Sequence, residues 1–220
     1  MREEEFLRRI ARALGRPEPE RRFPSVPEKS EEGGVPKEAS IALLRQGLQA
    51  VGANLLRFSS REKLSAALRE RLASWGVRRI AVSPGRSLEP FGVEPLLVPY
   101  ERVAIERLRE LPPVDLGITG CFRAIAESGT LLLNEEEEGS RFVHLVPEIH
   151  LALLRSSSIL PTMEAALSEL AHRGRLPSYL HFVSGPSRSA DIENDQTIGV
   201  HGPKALWVFL WDEGEGAAES

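Results

Sequence analysis

The stretch from Gly117 to Thr130 reads GITGCFRAIAESGT and lies between Val114-Asp115-Leu116 and the apolar run Leu131 to Leu133. Its glycines let the backbone turn tightly or approach a bound molecule closely. Its polar residues stand between apolar neighbours and need hydrogen-bond partners, because an unpaired buried polar group costs roughly 1–3 kcal/mol. The stretch is therefore either a strand–turn–strand hairpin whose polar residues satisfy the turn, or part of a binding site.

A second polar stretch has the same character. Ser184 to Asp191 reads SGPSRSAD, follows the apolar run Leu180 to Val183, and is itself followed by His201-Gly202-Pro203. Serine hydroxyls, backbone N–H groups beside glycine and a planar guanidinium are donors suited to a carboxylate or a phosphate. The alternative is an ordinary turn closed by an ion pair between Arg188 and Asp191.

From residue 37 onward the chain alternates helix and strand signals. Predicted strands lie at 79–83, 96–98, 114–119, 151–154, 180–183 and 206–211. Predicted helices run from Ser59-x-x-Glu62, which has the form of a capping box, to Gly76, from Tyr100 to Leu111, and from Thr162 to near Gly174. This alternation favours an α/β domain with a mostly parallel sheet flanked by helices.

Both polar stretches follow a predicted strand, since Gly120 comes after one strand and Ser184 after another. In open α/β sheets, ligands bind outside the carboxyl ends of the strands, where the loops lead away. We therefore expect the two stretches to meet across neighbouring strand tips and to form a common electropositive cup.

Two residues are candidates for catalysis. Glu127 is a carboxylate between apolar residues, where a raised pKa would suit proton transfer or attack on an acyl group. His201, confined by the Gly-Pro that follows it, would act as an acid or base near neutral pH. The alternatives are a Glu127 that is hydrogen-bonded to turn amides and a His201 in a plain structural turn. Cys121 lacks an adjacent base, and His150 precedes a strand from which it could reach the site.

Composition excludes several classes of protein. Hydrophobic residues at 41% and charged residues at 27% of 220 residues are ordinary for a soluble globular protein. With a net charge of −4 and no basic patch interleaved with aromatics, neither nucleic acid nor an acidic membrane is expected as a partner. No run of about 18 apolar residues occurs, so no membrane span is predicted. The acidic run Glu135 to Glu138 is interpreted as a solvated loop between strands.

Common nucleotide and metal motifs are missing from the sequence. There is no G-x-G-x-x-G and no G-x-x-x-x-G-K-[ST], so Rossmann-type NAD binding and P-loop ATP hydrolysis are not expected. The histidines show no H-E-x-x-H spacing, so no metal ligand is assigned, and His144 and His181 suit half-buried strand positions. The single cysteine cannot form an internal disulfide or hold an iron–sulfur cluster, in keeping with a reducing cytoplasm.

Residues 1–36 are predicted to form an appendage, an N-terminal amphipathic helix on a proline-rich linker, ahead of an α/β domain at 37–220. Residues 1–16 alternate charges with apolar side chains and lack the unbroken apolar stretch of a signal peptide. Prolines at 17, 19, 24, 27 and 36 forbid both helix and sheet in the linker. The helix is either a docking element for a partner or a helix packed on its own domain.

Several segments, taken in order, resemble one family. They are Asp115–Leu133 (DLGITGCFRAIAESGTLLL), Pro147–His150, Ile159–Thr162, Ser184–Glu193 and Val200–Pro203. Their order and spacing are similar to those of the LUD-domain family of the lactate utilisation protein C type. The resemblance implies a fold like the ribose-5-phosphate isomerase, glucosamine-phosphate deaminase and CoA-transferase group (NagB/RpiA/CoA-transferase-like). It also implies a cytoplasmic role in oxidising L-lactate to pyruvate beside two iron–sulfur partner proteins, with the clusters in those partners and no cofactor on this chain.

Under this resemblance the two polar stretches form one site for a small anionic ligand. Ser184, Ser187 and Arg188 would hold the anion, helped by backbone amides near Gly120 and Gly185. The other expected site residues are Ser128, Thr130, Asp191 and Gly202, with Glu127 and His201 as the catalytic pair. The alternatives are a stand-alone enzyme acting on a sugar phosphate or CoA thioester, and a non-catalytic metabolite-binding module. A homo-oligomer is compatible with each of them.

Overall fold

A computed structural model of the chain describes residues 3–15, 35–173, 177–190, 196–198 and 202–214. The chain divides into two compact units, Met1–Ser30 and Glu31–Ser220. The first contains helix α1 (Glu3–Ala13), the helix expected from the amphipathic pattern, with Arg12 in its last turn. The proline-rich segment at 16–34 lies outside the described residues, and the division into 1–36 and 37–220 stays a prediction.

The second unit contains a six-stranded sheet in which every pair is parallel. In spatial order its strands are β1 (Asn54–Phe58), β12 (Ala205–Trp211), β7 (Ile149–Arg155), β4 (Leu116–Gly120), β2 (Arg79–Val82) and β3 (Glu101–Arg102). A parallel sheet is covered on both faces, so its central strands are buried along most of their length, as β4 and β7 are. The predicted α/β class with a mostly parallel sheet flanked by helices is confirmed.

Helices lie on both faces of this sheet. The helices that the structure describes in this unit are α2 (Lys37–Ala50), α3 (Arg61–Ser74), α4 (Glu94–Leu97), α5 (Glu135–Glu138), α6 (Phe142–Leu145) and α7 (Met163–His172), with 3-10 turns at Arg86–Phe91, Ile105–Glu110 and Ser156–Ser158. Successive side chains of a strand point to opposite faces of a sheet. Accordingly, Val208 of β12 packs in one apolar cluster with Leu48 of α2, whereas the adjacent Phe209 packs in another with Leu68 of α3.

A second sheet of four strands is not anticipated by the sequence analysis. Its order is β8 (Ile159–Leu160), β5 (Arg123–Ile125), β6 (Thr130–Asn134) and β9 (Leu180–Val183). Strands β5 and β6 form an antiparallel hairpin, β8 runs parallel to β5, and β9 runs antiparallel to β6. The hairpin interpretation of residues 117–130 is therefore confirmed for β5 and β6, whereas the first residues of this stretch belong to β4 of the parallel sheet.

Strand β9 corrects the expected placement of the second polar stretch. Residues 180–183 do form a strand, but that strand belongs to the second sheet. The polar residues that follow β9 therefore do not lie at a strand tip of the parallel sheet. They lead instead into a two-stranded antiparallel ribbon, β10 (Arg188–Ala190) and β11 (Gln196–Ile198).

Two short predicted elements are wrong, and one helix start moves by a residue. Residues 96–98 were predicted as a strand but fall at α4, where the proline in the first turn suits a helix start. Residues 100–111 contain the short β3 and a 3-10 turn rather than one α-helix. Ser60, not Ser59, caps α3 by accepting from the Lys63 N–H at 3.3 Å, whereas the predicted cap at Thr162 is confirmed.

Among the helices that the structure describes, none has both the length and the apolar character needed to span a bilayer.

Candidate functional site

A pocket of about 650 Å³ lies beside β9 and the loop that follows it. Its volume falls in the range of small-molecule sites, which are mostly apolar with a few placed polar groups. The lining residues come from four places: His144 and Leu145 of α6; His150 of β7; residues 180–185 and Ser187; and Gly202, Pro203 and Leu206 around the start of β12.

Close backbone packing fixes the serine-rich loop at the edge of this pocket. The Ser187 N–H donates to the Pro203 carbonyl at 2.8 Å. A Cβ on Gly202 would lie 3.1 Å from the Ser187 Cβ, and one on Gly185 would lie 2.9 Å from the Val51 Cγ2. A side chain at Gly185 would push the loop away from Val51, and one at Gly202 would require Ser187 to shift slightly, so close packing favours glycine at both positions.

A chain of hydroxyl groups joins the two polar stretches. The Ser128 hydroxyl donates to the Thr130 hydroxyl at 2.8 Å, and the Thr130 and Ser184 oxygens are also 2.8 Å apart. Their meeting follows from the antiparallel pairing of β6 and β9, in which Leu131 lies opposite Val183. The two stretches therefore meet, as the sequence predicts, but through a strand pair of the second sheet.

Three histidines and a glutamate line or underlie the pocket. Glu138, fully buried at the end of α5, binds Nδ1 of His144 through Oε1. The His144 Nε2 then lies 3.0 Å from Nδ1 of His181 in β9. His150, buried in β7, shares a 2.8 Å hydrogen bond between its Nε2 and the Thr119 hydroxyl. The interpretation of residues 135–138 as a solvated loop is therefore wrong, because α5 turns Glu138 inward onto a histidine.

Burial dominates the protonation of these groups. Burial raises the pKa of Glu138, although the hydrogen bond from His144 and its charge act to lower it. It lowers the pKa of His150 well below the ordinary value, and lowers that of His181 with help from the charges of His144 and Arg141. His150 and His181 are therefore neutral near pH 7.

Among the described residues no lysine or arginine lines the pocket, so its donors are hydroxyls, backbone N–H groups and imidazoles. This differs from the expected electropositive cup.

Comparison with known proteins identifies the family. The profile of the LUD domain matches residues 41–211. The chain belongs to the LUD domain family. It is 30% identical to lactate utilization protein C of Bacillus subtilis, across 96% of each chain, and 28% identical to lactate utilization protein C of Geobacillus thermodenitrificans, across 94% of this chain and 95% of that one. A DUF162 family protein from Deinococcus radiodurans, known from a crystal structure, superposes with a TM-score of 0.59 at 25% identity, across 81% of this chain and 99% of that one. The resemblance drawn from the sequence is confirmed.

This LUD domain brings four of the predicted ligand-binding residues to the pocket, namely Ser184, Gly185, Ser187 and Gly202. Thr130 is buried behind Ser184 and hydrogen-bonded to it, and Ser128 at the surface continues the same hydroxyl chain. Their roles in binding a ligand stay predictions.

Arg188 does not line the pocket in this LUD domain. Its guanidinium donates to the Val51 carbonyl at 2.7 Å, just beyond the last residue of α2. The last carbonyls of a helix lack partners within the helix and attract cations, which accounts for this contact without a ligand. Asp191 and His201 lie outside the described residues.

Glu127 and Gly120 are also placed away from the pocket lining. Glu127 is exposed, and its Oε1 accepts from the Met163 N–H at 2.6 Å, so that it joins Thr162 in capping the start of α7. This is the hydrogen bond to a backbone amide that stood as the alternative to catalysis. Gly120 ends β4 at a point where a Cβ would lie 1.8 Å from the Ser87 hydroxyl oxygen, so packing alone requires glycine there.

Cys121 is expected to be unreactive in the folded protein. Its thiol is buried and donates to the Arg123 carbonyl at 2.8 Å, and burial raises its pKa to about 12. Because the thiolate is the nucleophile, a disulfide reagent at about pH 8 should modify almost no native protein, and the single thiol should react fully after unfolding in guanidinium. Rapid stoichiometric labelling of the native protein would contradict this and would restore Cys121 as a candidate nucleophile.

The sequence does not indicate that Glu138, His144 and His181 form one cluster. Glu138 and His144 are separated by a short turn, and a glutamate near an apolar Phe-Val-His segment is a weak signal on its own. His181 is far away along the chain and arrives only through the pairing of β9 with β6. No local spacing rule could have joined the three.

Proposed function

We propose that this LUD domain is the ligand-binding component of a cytoplasmic, multi-protein system that oxidises L-lactate to pyruvate with iron–sulfur partner proteins. The observation that carries the proposal is the match to lactate utilization protein C, which spans nearly the whole of this chain and of its relatives. A correspondence of that extent includes the pocket, both sheets and the loops between them, and is not limited to one shared motif.

The pocket supports a small organic acid as its ligand. The hydroxyls of Ser184 and Ser187 and the N–H groups of their loop are suited to a carboxylate, while the imidazoles that line the pocket are suited to a neighbouring hydroxyl or keto oxygen. Lactate and pyruvate both place a carboxylate next to such an oxygen. In this proposal the loop holds the carboxylate, and the histidines face the carbon that is oxidised.

The electrons in this proposal leave through partner proteins. Oxidation of lactate to pyruvate releases two electrons and two protons. The single cysteine of the chain is buried with a raised pKa, and an iron–sulfur cluster ordinarily needs four thiolates. Clusters on two cysteine-rich partners would accept the electrons, and the genes of those partners are expected beside this one.

Growth of a deletion strain tests the proposal. Deleting the gene should abolish growth with L-lactate as the carbon source, because no other component of the system would bind the ligand in place of this chain. Growth on pyruvate should be unchanged, since pyruvate lies after the oxidation step, and a plasmid copy of the wild-type gene should restore growth on lactate. Unimpaired growth of the deletion strain on lactate would overturn the proposal.

Pocket size favours one second candidate. A volume of about 650 Å³ is suited to a ligand larger than a three-carbon acid, such as a sugar phosphate or part of a CoA thioester. In that case the purified chain would be an enzyme by itself, without iron–sulfur partners. The same deletion strain separates the two candidates, because a stand-alone enzyme of this kind would leave growth on lactate intact.

A further inference from the structure

We propose that His144 and His181, with the carboxylate of Glu138 beside them, bind one divalent transition-metal ion of the zinc class in the pocket. The three side chains come from α5, α6 and β9, and each offers a ligand atom such that all three atoms lie within 4.8 Å of one another. The proposal concerns the same pocket as the function proposed above, but it rests only on the arrangement of these side chains.

The spacing of the two imidazoles fits a shared ion. The His144 Nε2 and the His181 Nδ1 are 3.0 Å apart. Two nitrogens bound at about 2.0–2.1 Å to one ion lie about 3 Å apart when they subtend a right angle there, and slightly farther apart in a tetrahedral site. The two nitrogens are therefore already separated as two ligands of one ion are, and each ring would turn so that its lone pair points at the ion instead of at the other ring.

Glu138 supplies a second, independent observation. Its Oε1 binds Nδ1 of His144, which is the way a carboxylate usually orients a metal-binding histidine. Its Oε2 is fully buried and has no hydrogen-bond partner among the described residues. A buried carboxylate oxygen without a partner is costly, and a cation within reach removes that cost. Glu138 is therefore either the group that orients His144 or the third ligand itself.

The surroundings leave room for exchangeable ligands. His144 and His181 both line the pocket, so the coordination positions not taken by protein would open into it. Catalytic zinc sites keep an open position of this kind, whereas structural sites are closed by four protein ligands. Two imidazoles and a carboxylate also suit iron(II) and cobalt(II), so the chemistry defines a class of ion. On the far side, the Tyr179 ring stacks on His181 with the ring centroids 4.8 Å apart and restricts its orientation.

Metal content of the full-length chain tests this proposal. The protein is stripped with a chelator, dialysed against zinc or cobalt(II), and analysed by elemental mass spectrometry and by the visible absorption of bound cobalt. Wild type should hold one ion per chain. His181→Gln should weaken binding at least about tenfold and alter the cobalt spectrum. His172→Gln is the matched control, because His172 is exposed and bonds the Ser168 carbonyl within its own helix, and it should bind as wild type does.

Every outcome decides the question. His181 is only half-buried, so its variant is expected to fold, and circular dichroism checks this. If His181→Gln is nevertheless unfolded, Glu138→Gln takes its place with the same expected loss. Absence of stoichiometric binding by wild type, or wild-type affinity in the folded variant, would overturn the proposal.

Discussion

Gly129→Ala is expected to lower the free energy of unfolding by about 3 kcal/mol. The residue has φ +62°, a conformation that costs an L-residue roughly 1–2 kcal/mol. A Cβ there would also lie 2.4 Å from the Gly47 carbonyl carbon and 2.5 Å from the Leu48 nitrogen of α2. Those are backbone atoms, which cannot rotate away, and overpacking of this kind adds roughly 1–3 kcal/mol. The turn between Ser128 and Thr130 would then be pushed off α2, together with the hydroxyl chain that it carries.

Gly76→Ala is the matched control for this prediction. Gly76 follows α3 with the same φ of +62°, but a Cβ there would meet no atom within 4 Å. It therefore reports the backbone strain alone, and we expect a loss of about 1–2 kcal/mol. Urea unfolding of both variants gives the comparison. Equal losses in the two variants would mean that the close approach between the turn and α2 is absent.

The parts of the fold that were predicted correctly are those with a strong local signal. The largely apolar runs of β4, β7 and β12 form strands of the parallel sheet, which is covered on both faces and therefore favours such runs. Helix α7 begins where Thr162 provides a side-chain acceptor for a free N–H group. These signals are contained within a few residues, so tertiary contacts did not need to be known.

The parts that were missed depend on contacts between distant residues. Four glutamates in a row indicate solvent by their local charge, yet Glu138 is buried because His144 provides a partner for it. Residues 96–98 are too few to show a period, so strand and helix cannot be told apart there. The pairing of β6 with β9 joins segments about fifty residues apart in the chain, and no local pattern encodes it.

The same distinction separates the candidate site residues. The sequence identified the serine-rich loop because a cluster of donors and glycines in a short loop is a local feature. It did not show that the Arg188 guanidinium is held by the Val51 carbonyl, or that Glu127 caps α7. Those hydrogen bonds depend on which elements the fold brings together. Residue types along the sequence therefore predict where a binding loop lies better than they predict what one side chain in it contacts.

Ser187→Trp is expected to abolish the function of the pocket while leaving the fold intact. Ser187 lines the pocket, and its Cβ already lies so close to Gly202 that an indole has no room on that side. The indole must then occupy the cavity that the ligand would use, whereas the Ser187 N–H can still donate to the Pro203 carbonyl. Ser74→Trp serves as the control, because Ser74 is exposed at the end of α3 and does not line the pocket.

The role of the pocket is tested by growth on L-lactate of the deletion strain carrying Ser187→Trp. Protein level and melting temperature are measured in parallel, so that loss of folding is recognised as such. We predict no growth with Ser187→Trp and wild-type growth with Ser74→Trp, both proteins being folded. A strain that carries folded Ser187→Trp and grows on lactate at the wild-type rate would contradict the claim that this pocket is the functional site.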